Sequence, residues 1–288
     1  MVFMCADDYG LDEISSMHIQ ECIDRGALHR VSVFPNFEKV DLARICKYRK
    51  IQLSLHLNLV EGTCMANAGE LDLLADENGY LKYSFIGLLK NSLLHRKRFE
   101  NQVYKEIRAQ VLFWKGILPE GMPFCIDSHQ HTHMIPAVFH MLLRVLRDEG
   151  IAVNHMRIPA EPLLPFLKSP TLYLSYNPVN LVKQWLLNFL WMINQTQINQ
   201  DEIPSSCFFG ILFSGKMDQK RVSKLLPNYI KIAQKHQKDV EVLFHPGYRD
   251  PNQQRWTAEN VAFDHFYLSE NRKTEFDSVI SFIEGSEI

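Results

Sequence analysis

Short apolar runs that stop abruptly alternate along this chain with longer stretches of helical spacing. Val2 to Ala6 is apolar and breaks off at Asp7-Asp8-Tyr9-Gly10, which predicts a buried strand ending in a polar turn. Ile14 to Gly26 follows with helical spacing; Ile14, Met17, Cys22 and Ile23 are the expected core positions and Gly26 the expected stop. Val31 to Phe34 reads as the next strand, closed by Pro35-Asn36. From Gln52 to Leu59 the alternation is strict: Leu53, Leu55, Leu57 and Leu59 take one face, and Ser54, His56 and Asn58 the other. A long helix over 97–117, a brief apolar run at Phe124 to Ile126, a helix from Val138 to Gly150, a strand from Val240 to Phe244 and a helix over 268–284 complete the pattern. Strands that alternate with helices predict a mostly parallel α/β fold.

No repeat, low-complexity tract or linker divides the 288 residues, so one domain is expected. The segment 160–210 stands apart. It holds several prolines and a Trp-rich apolar helix, and reads as an insertion or lid over one end of the domain. Lys183, Gln184 and Asn188 interrupt that helix, which makes it a poor membrane span. Its apolar surface could support a homodimer. A formal net charge of −2 gives no general attraction to nucleic acid or to an anionic membrane. Six scattered cysteines, none in a Cys-x-x-Cys pair, argue against a zinc ribbon and suit a reducing compartment. With no signal-peptide pattern in MVFMCADDYG, the expected location is the cytoplasm.

The chemistry gathers at the strand ends. Asp7 and Asp8, His56, the run Asp127-Ser-His-Gln-His-Thr-His133 and His245 each lie at or near the end of an expected strand. In parallel α/β barrels the carboxyl ends of the strands form the active site. Taken singly, the pieces are ordinary: ADDYG fits a turn, and a lone strand histidine is commonly just packed. DSHQHTH is less so. In an extended backbone its three imidazoles would share one face, where a metal or acid–base role is favoured. Carboxylate plus imidazoles, by ligand type, make a divalent-metal site.

ADDYGL, LHLNLVEG, DSHQHTHMIP, RIP and FHPGY occur here in the order and approximate spacing of the YdjC-like carbohydrate deacetylases. That family includes relatives of chito-oligosaccharide deacetylase and of a hopanoid-associated deacetylase. The resemblance runs from residue 6 to about 250 and extends to the closing segment from Ser269 to Glu275. It implies a distorted (β/α) barrel with a polysaccharide-deacetylase-like layout. It also implies one divalent ion, Mg2+ or Zn2+, held by Asp8, His56 and His129. Asp7 would then resemble the general base, and His245 the acid that protonates the departing amine. Asp127, His131, His133, Arg157 and Asn58 would support the site or face the substrate, an N-acetylated carbohydrate. Two rivals stay open at this point: another metal-dependent barrel hydrolase such as a phosphoesterase, and a non-catalytic sugar-binding protein using aromatics such as Tyr9, Phe85, Trp185 and Trp191.

Overall fold

A computed structural model describes residues 1–37, 42–48, 50–198, 203–247 and 269–284. Its strands are β1 (Val2–Tyr9), β2 (Arg30–Val33), β3 (Gln52–Leu57), β4 (Cys125–Ser128), β5 (His155–Met156), β6 (Cys207–Phe209) and β7 (Val240–Phe244). Its α-helices are α1 (Glu13–Asp24), α2 (Leu42–Ile45), α3 (Phe85–Leu94), α4 (Arg96–Ile117), α5 (Pro136–Asp148), α6 (Leu164–Leu167), α7 (Pro178–Asn194), α8 (Gln219–Lys235) and α9 (Glu270–Glu284). The strands form one sheet in the order β5-β4-β3-β2-β1-β7-β6, and every pairing is parallel. The sheet curls until its edges meet: Met156 N donates to Pro204 O at 2.9 Å, and His155 Nε2 lies 3.1 Å from Ser206 Oγ. The result is a distorted, half-closed (β/α) barrel.

Register explains why the strands read as they do. Side chains alternate between faces along a strand, and paired positions in neighbouring parallel strands share a face. Ala6, Val31 and Leu53 form one row, and Val33, Leu55, Ile126 and Met156 another. Both rows lie on the outer face under the helices. The opposite face turns inward and is polar: Arg30 pairs with Gln52, Ser54 with Cys125, His56 with Asp127 and Cys125 with His155. The strict alternation from Gln52 is therefore an inside–outside code in which both faces are buried. Charged groups in the barrel interior are paired, because an isolated buried charge is very costly. Arg30 meets Glu241 at 2.9 Å, Arg157 meets Glu241 at 2.6 Å and Asp7 at 2.6 Å, and all four residues are at most 2% exposed.

The helices follow their apolar stripes. In α5, Val138, Phe139, Met141, Leu142, Val145 and Leu146 make one buried face; Gly150 (φ 61°) lets the chain turn away just beyond its end. In α4, Phe99, Val103, Ile107, Val111 and Trp114 do the same. Three expectations need correction. β1 continues through the acidic pair to Tyr9 instead of stopping at Ala6. Met17 lies on the solvent side of α1, 59% exposed, while Ile19 takes the core position. The histidine run is not extended: His129–Met134 is a tight 3-10 turn with Gln130 (φ 51°) and His131 (φ 60°) left-handed, so its imidazoles point different ways. Strands β5 and β6 and helices α3 and α8 were not foreseen; β5 and β6 are too short to show a period, and Pro227 lies inside α8. No described helix is long and apolar enough to cross a membrane.

Candidate active site

The site begins with an irregularity in β1. Ala6 pairs with Val31 and Tyr9 with Val33, so three steps on β1 match two on β2. The extra residue is a bulge, and Asp8 takes φ 76°, a conformation uncommon for a residue with a side chain. In a regular strand Asp7 and Asp8 would face opposite ways. The bulge turns both into the barrel mouth, where both line one cavity. Strain of this kind gathers at functional sites.

Asp8 meets two histidines there. Asp8 Oδ1 lies 3.6 Å from His56 Nε2 and 3.4 Å from His129 Nδ1, and the two nitrogens are 3.3 Å apart. Donors about 2.0–2.2 Å from a shared cation are spaced about this far from one another. The buried Asp8, His56 and His129 form a group that could hold a metal ion. Behind each imidazole sits a second carboxylate. His56 Nδ1 lies 2.5 Å from Asp127 Oδ1, and His129 Nε2 lies 3.4 Å from Glu61 Oε1. An acceptor on one ring nitrogen keeps the proton there and presents the other nitrogen's lone pair to a cation.

The electrostatics agree with that donor set. Burial opposes charge on Asp8, yet the Arg272 guanidinium and hydrogen bonds from His129 and His56 prevail and hold its carboxyl well below the usual range. Burial likewise opposes charge on His56, but Asp7 and Asp127 push it up to about 10. His129 is also raised: hydrogen bonds to Asp8 and Glu61 outweigh its burial. The centre of the site therefore favours positive charge.

Asp7 and His245 sit beside the trio on the same cavity. Arg157 Nη1 donates to Asp7 Oδ2 at 2.6 Å, while Asp7 Oδ1 is buried without a hydrogen-bond partner. His245 is held from behind by Glu275, which accepts from its backbone N at 2.6 Å and lies 3.4 Å from Nδ1. Asp127, Arg157, His133 and Asn58 do not line the cavity. Asp127 also accepts from Ser32 Oγ at 2.6 Å. Asn58 holds the loop that carries Glu61: its Oδ1 accepts from Val60 N and Glu61 N, and its Nδ2 donates to Glu61 O.

The two later histidines of DSHQHTH part company. His133 is a brace: Ser128 Oγ lies 2.5 Å from its Nδ1, and its Nε2 is 2.9 Å from Arg157 O. Burial drives its pKa down to about 4. His131 lines the cavity, 5% exposed, with Nδ1 lacking a hydrogen-bond partner. Burial, then Lys183 and Arg157, hold it well below the usual histidine range.

Glu61, Arg272, Glu275, Glu241 and Lys183 were not singled out from sequence as site residues. A signal existed for two of them. Arg272 and Glu275 occupy the buried stripe of α9 that continues through Val279 and Ile280, where apolar residues are expected. No phenylalanine, tyrosine or tryptophan lines the cavity among the described residues, Tyr9, Phe85, Trp185 and Trp191 included. The cavity measures about 280 Å³.

The YdjC-like protein family model matches residues 1–282. The chain belongs to the YdjC-like family. A carbohydrate deacetylase of Clostridium beijerinckii is 25% identical over 257 residues, which cover 84% of this chain and 97% of that protein. A carbohydrate deacetylase of Danio rerio is 31% identical over 163 residues, 56% of this chain. That match spans 50% of the zebrafish protein, so the chain matches only half the length of this relative. Among solved structures, an Enterococcus faecalis protein provisionally described as a cellobiose-phosphate cleavage protein shares the fold. Its TM-score is 0.59 at 17% identity, over 97% of this YdjC-like chain and 94% of that one.

Proposed function

We propose that this chain is a metal-dependent carbohydrate N-deacetylase, which hydrolyses the amide of an N-acetylated sugar or oligosaccharide and releases acetate. The observation that carries the reading is the unpartnered Oδ1 of Asp7, buried in the cavity wall beside Asp8, His56 and His129. Carbohydrate deacetylases among its relatives support it. A cation held by the trio supplies Lewis acidity toward the acetyl carbonyl and the attacking water. Two imidazole donors favour zinc; magnesium, which prefers oxygen ligands, is the other candidate.

The chain's own groups then divide the work. Arg157 holds Asp7 by Oδ2, so Oδ1 is left to take a proton from water as the water oxygen bonds to the carbonyl carbon. The carbonyl π electrons move onto oxygen, giving a tetrahedral oxyanion. The oxyanion re-forms the carbonyl and the C–N bond breaks as His245 donates a proton to the nitrogen, so that it departs as a neutral amine and not as an amide anion, a very poor leaving group. Asp127 and Glu61 fix the imidazole rings, and Glu275 fixes His245. The 160–210 segment acts as a lid through Asn177, Asn180 and Lys183, and six free cysteines suit the cytoplasm. The deciding measurement is acetate release from N-acetylglucosamine oligomers by chelator-stripped protein resupplied with zinc, magnesium, manganese or cobalt. Acetate dependent on one of these metals supports the reading; none with any metal removes it.

A further inference from the structure

Helix α7 is built inside out. All of its exposed residues are apolar, among them Val179, Val182, Trp185, Phe189 and Met192. Its amide side chains turn inward and are satisfied there: Gln184 and Asn188 donate to Glu161 O, Asn180 to Ser214 O and Asn194 to Met134 O. A surface helix normally does the reverse. The apolar surface continues ahead of the helix through Leu164, Leu167 and the fully exposed Leu174. Helix α3 adds Ile86, Leu93 and Leu94, and α3 and α7 both pack against the turn His129–Met134. Exposed apolar residues met singly need no explanation, but a run of this extent marks a surface that something covers.

Charge indicates what covers it. The whole chain has a net charge of −2, yet no carboxylate occurs in residues 78–99 or 162–200. Besides the inward Lys183, the cations of those stretches are Lys82, Lys90, Arg96, Lys97, Arg98 and Lys168. Arg96 pairs with Glu100, Arg98 with Asp72, and Lys82 donates to Asp72 O. Lys90, Lys97 and Lys168 are exposed and have no ion pair among the described residues. An apolar face edged by unmatched cations fits an anionic lipid surface: the headgroups take the lysines, and the acyl boundary takes the apolar side chains. A second copy of the chain would instead set the same unmatched cations against one another. We infer that the outer face of α7, with Leu174 and the end of α3, docks onto an anionic membrane surface. The helix lies on that surface and does not span it, for no described helix is long and apolar enough to cross. Its inner face, through Asn180 and Lys183, stays on the cavity. Docking requires no catalysis, so it stands apart from the deacetylase reading.

The test is sedimentation of the whole protein with phosphatidylcholine vesicles, made with and without phosphatidylglycerol. The protein should sediment with the anionic vesicles and far less with the neutral ones, and added salt should weaken the binding. Trp185→Ser combined with Phe189→Ser should weaken it about tenfold or more, because two large apolar side chains no longer leave water. Lys90→Gln, Lys97→Gln and Lys168→Gln should each weaken it about fivefold. Brominated lipid should quench the wild-type tryptophan fluorescence, and Trp185→Phe should lose most of that quenching while still sedimenting. The lysines lie outside α7, so a serine variant that failed to fold, seen in thermal melts, would leave the lysine variants to decide. No binding to the anionic vesicles, equal binding to the neutral ones, or binding unchanged in the folded variants overturns the inference. A wild-type dimer that the serine variant splits, with no vesicle binding, would give the face to a second copy instead.

Discussion

Arg272 Nη2 donates to Asp8 Oδ2 at 2.9 Å across 264 residues of sequence. The closing helix thus reaches into the first strand's bulge and supplies the cation that keeps Asp8 ionised. Both side chains are at most 2% exposed. Removing one partner of such a pair leaves a buried charge and costs about 3–5 kcal/mol. Arg272→Met should therefore lower the stability of the metal-free protein by about that much. Added zinc should restore part of it, since a cation at Asp8, His56 and His129 offsets the same charge. Denaturant titrations with and without zinc check this; an unchanged midpoint would mean that the pair contributes nothing.

Asp7→Asn should leave cation binding intact and reduce turnover about 10²–10⁴-fold, the usual contribution of a general base. The substitution keeps the shape but removes the free acceptor opposite the Arg157 contact. Elemental analysis alongside acetate release makes the distinction. Full activity would exclude Asp7 as the base, whereas loss of metal would place it among the ligands.

Glu61→Gln and Asp127→Asn should each weaken cation binding by about 10–100-fold, because each removes the carboxylate that orients a ligating imidazole. Asp127 lies closer to its histidine, at 2.5 Å against 3.4 Å for Glu61, so the Asp127 variant should suffer more. Competition with a chelating dye measures both. Wild-type affinity in either variant would remove that residue from the support of the site.

His155 is buried between Arg30 and Glu241, and burial is the main cause that lowers it to about 4. Its folded pKa lies below the unfolded value of about 6.5, so the unfolded chain binds more protons between those limits. The stability it contributes is full above about pH 6.5 and is lost as pH falls toward 4, up to about 3 kcal/mol. Replacing it with Gln should flatten the fall of the melting temperature between pH 6.5 and 4. An equally steep profile in the variant would assign that acid sensitivity elsewhere, His133 being next in line.

Much of the architecture was legible because the barrel has a simple periodic code. The run Gln52–Leu57 states both faces of β3, and Val240–Phe244 is the observed β7. The convergence of the acidic pair, His56, the DSHQHTH run and His245 also followed, since parallel strands deliver their carboxyl ends to one mouth; the choice of Asp8, His56 and His129 among them came from the family resemblance. DSHQHTH was harder. Its even spacing suggested a shared face, but two left-handed residues rotate His131 and His133 apart. Local sequence does not encode that turn. It is held by Ser128 and the Arg157 carbonyl, which bond His133.

By itself, then, the sequence determined the alternation of strand and helix, the two faces of β3 and the residue types at the barrel mouth, because each depends on local period or composition. Tertiary structure decided the rest. The bulge that turns both Asp7 and Asp8 inward exists only against the register of β2. Glu61 and Asp127 meet their histidines only once β3, β4 and the Glu61 loop converge, and Arg272 meets Asp8 only when α9 closes on β1. These pairings rest on buried charge, which is tolerated only where a distant partner arrives to match it. No local pattern in the chain records which partner that will be.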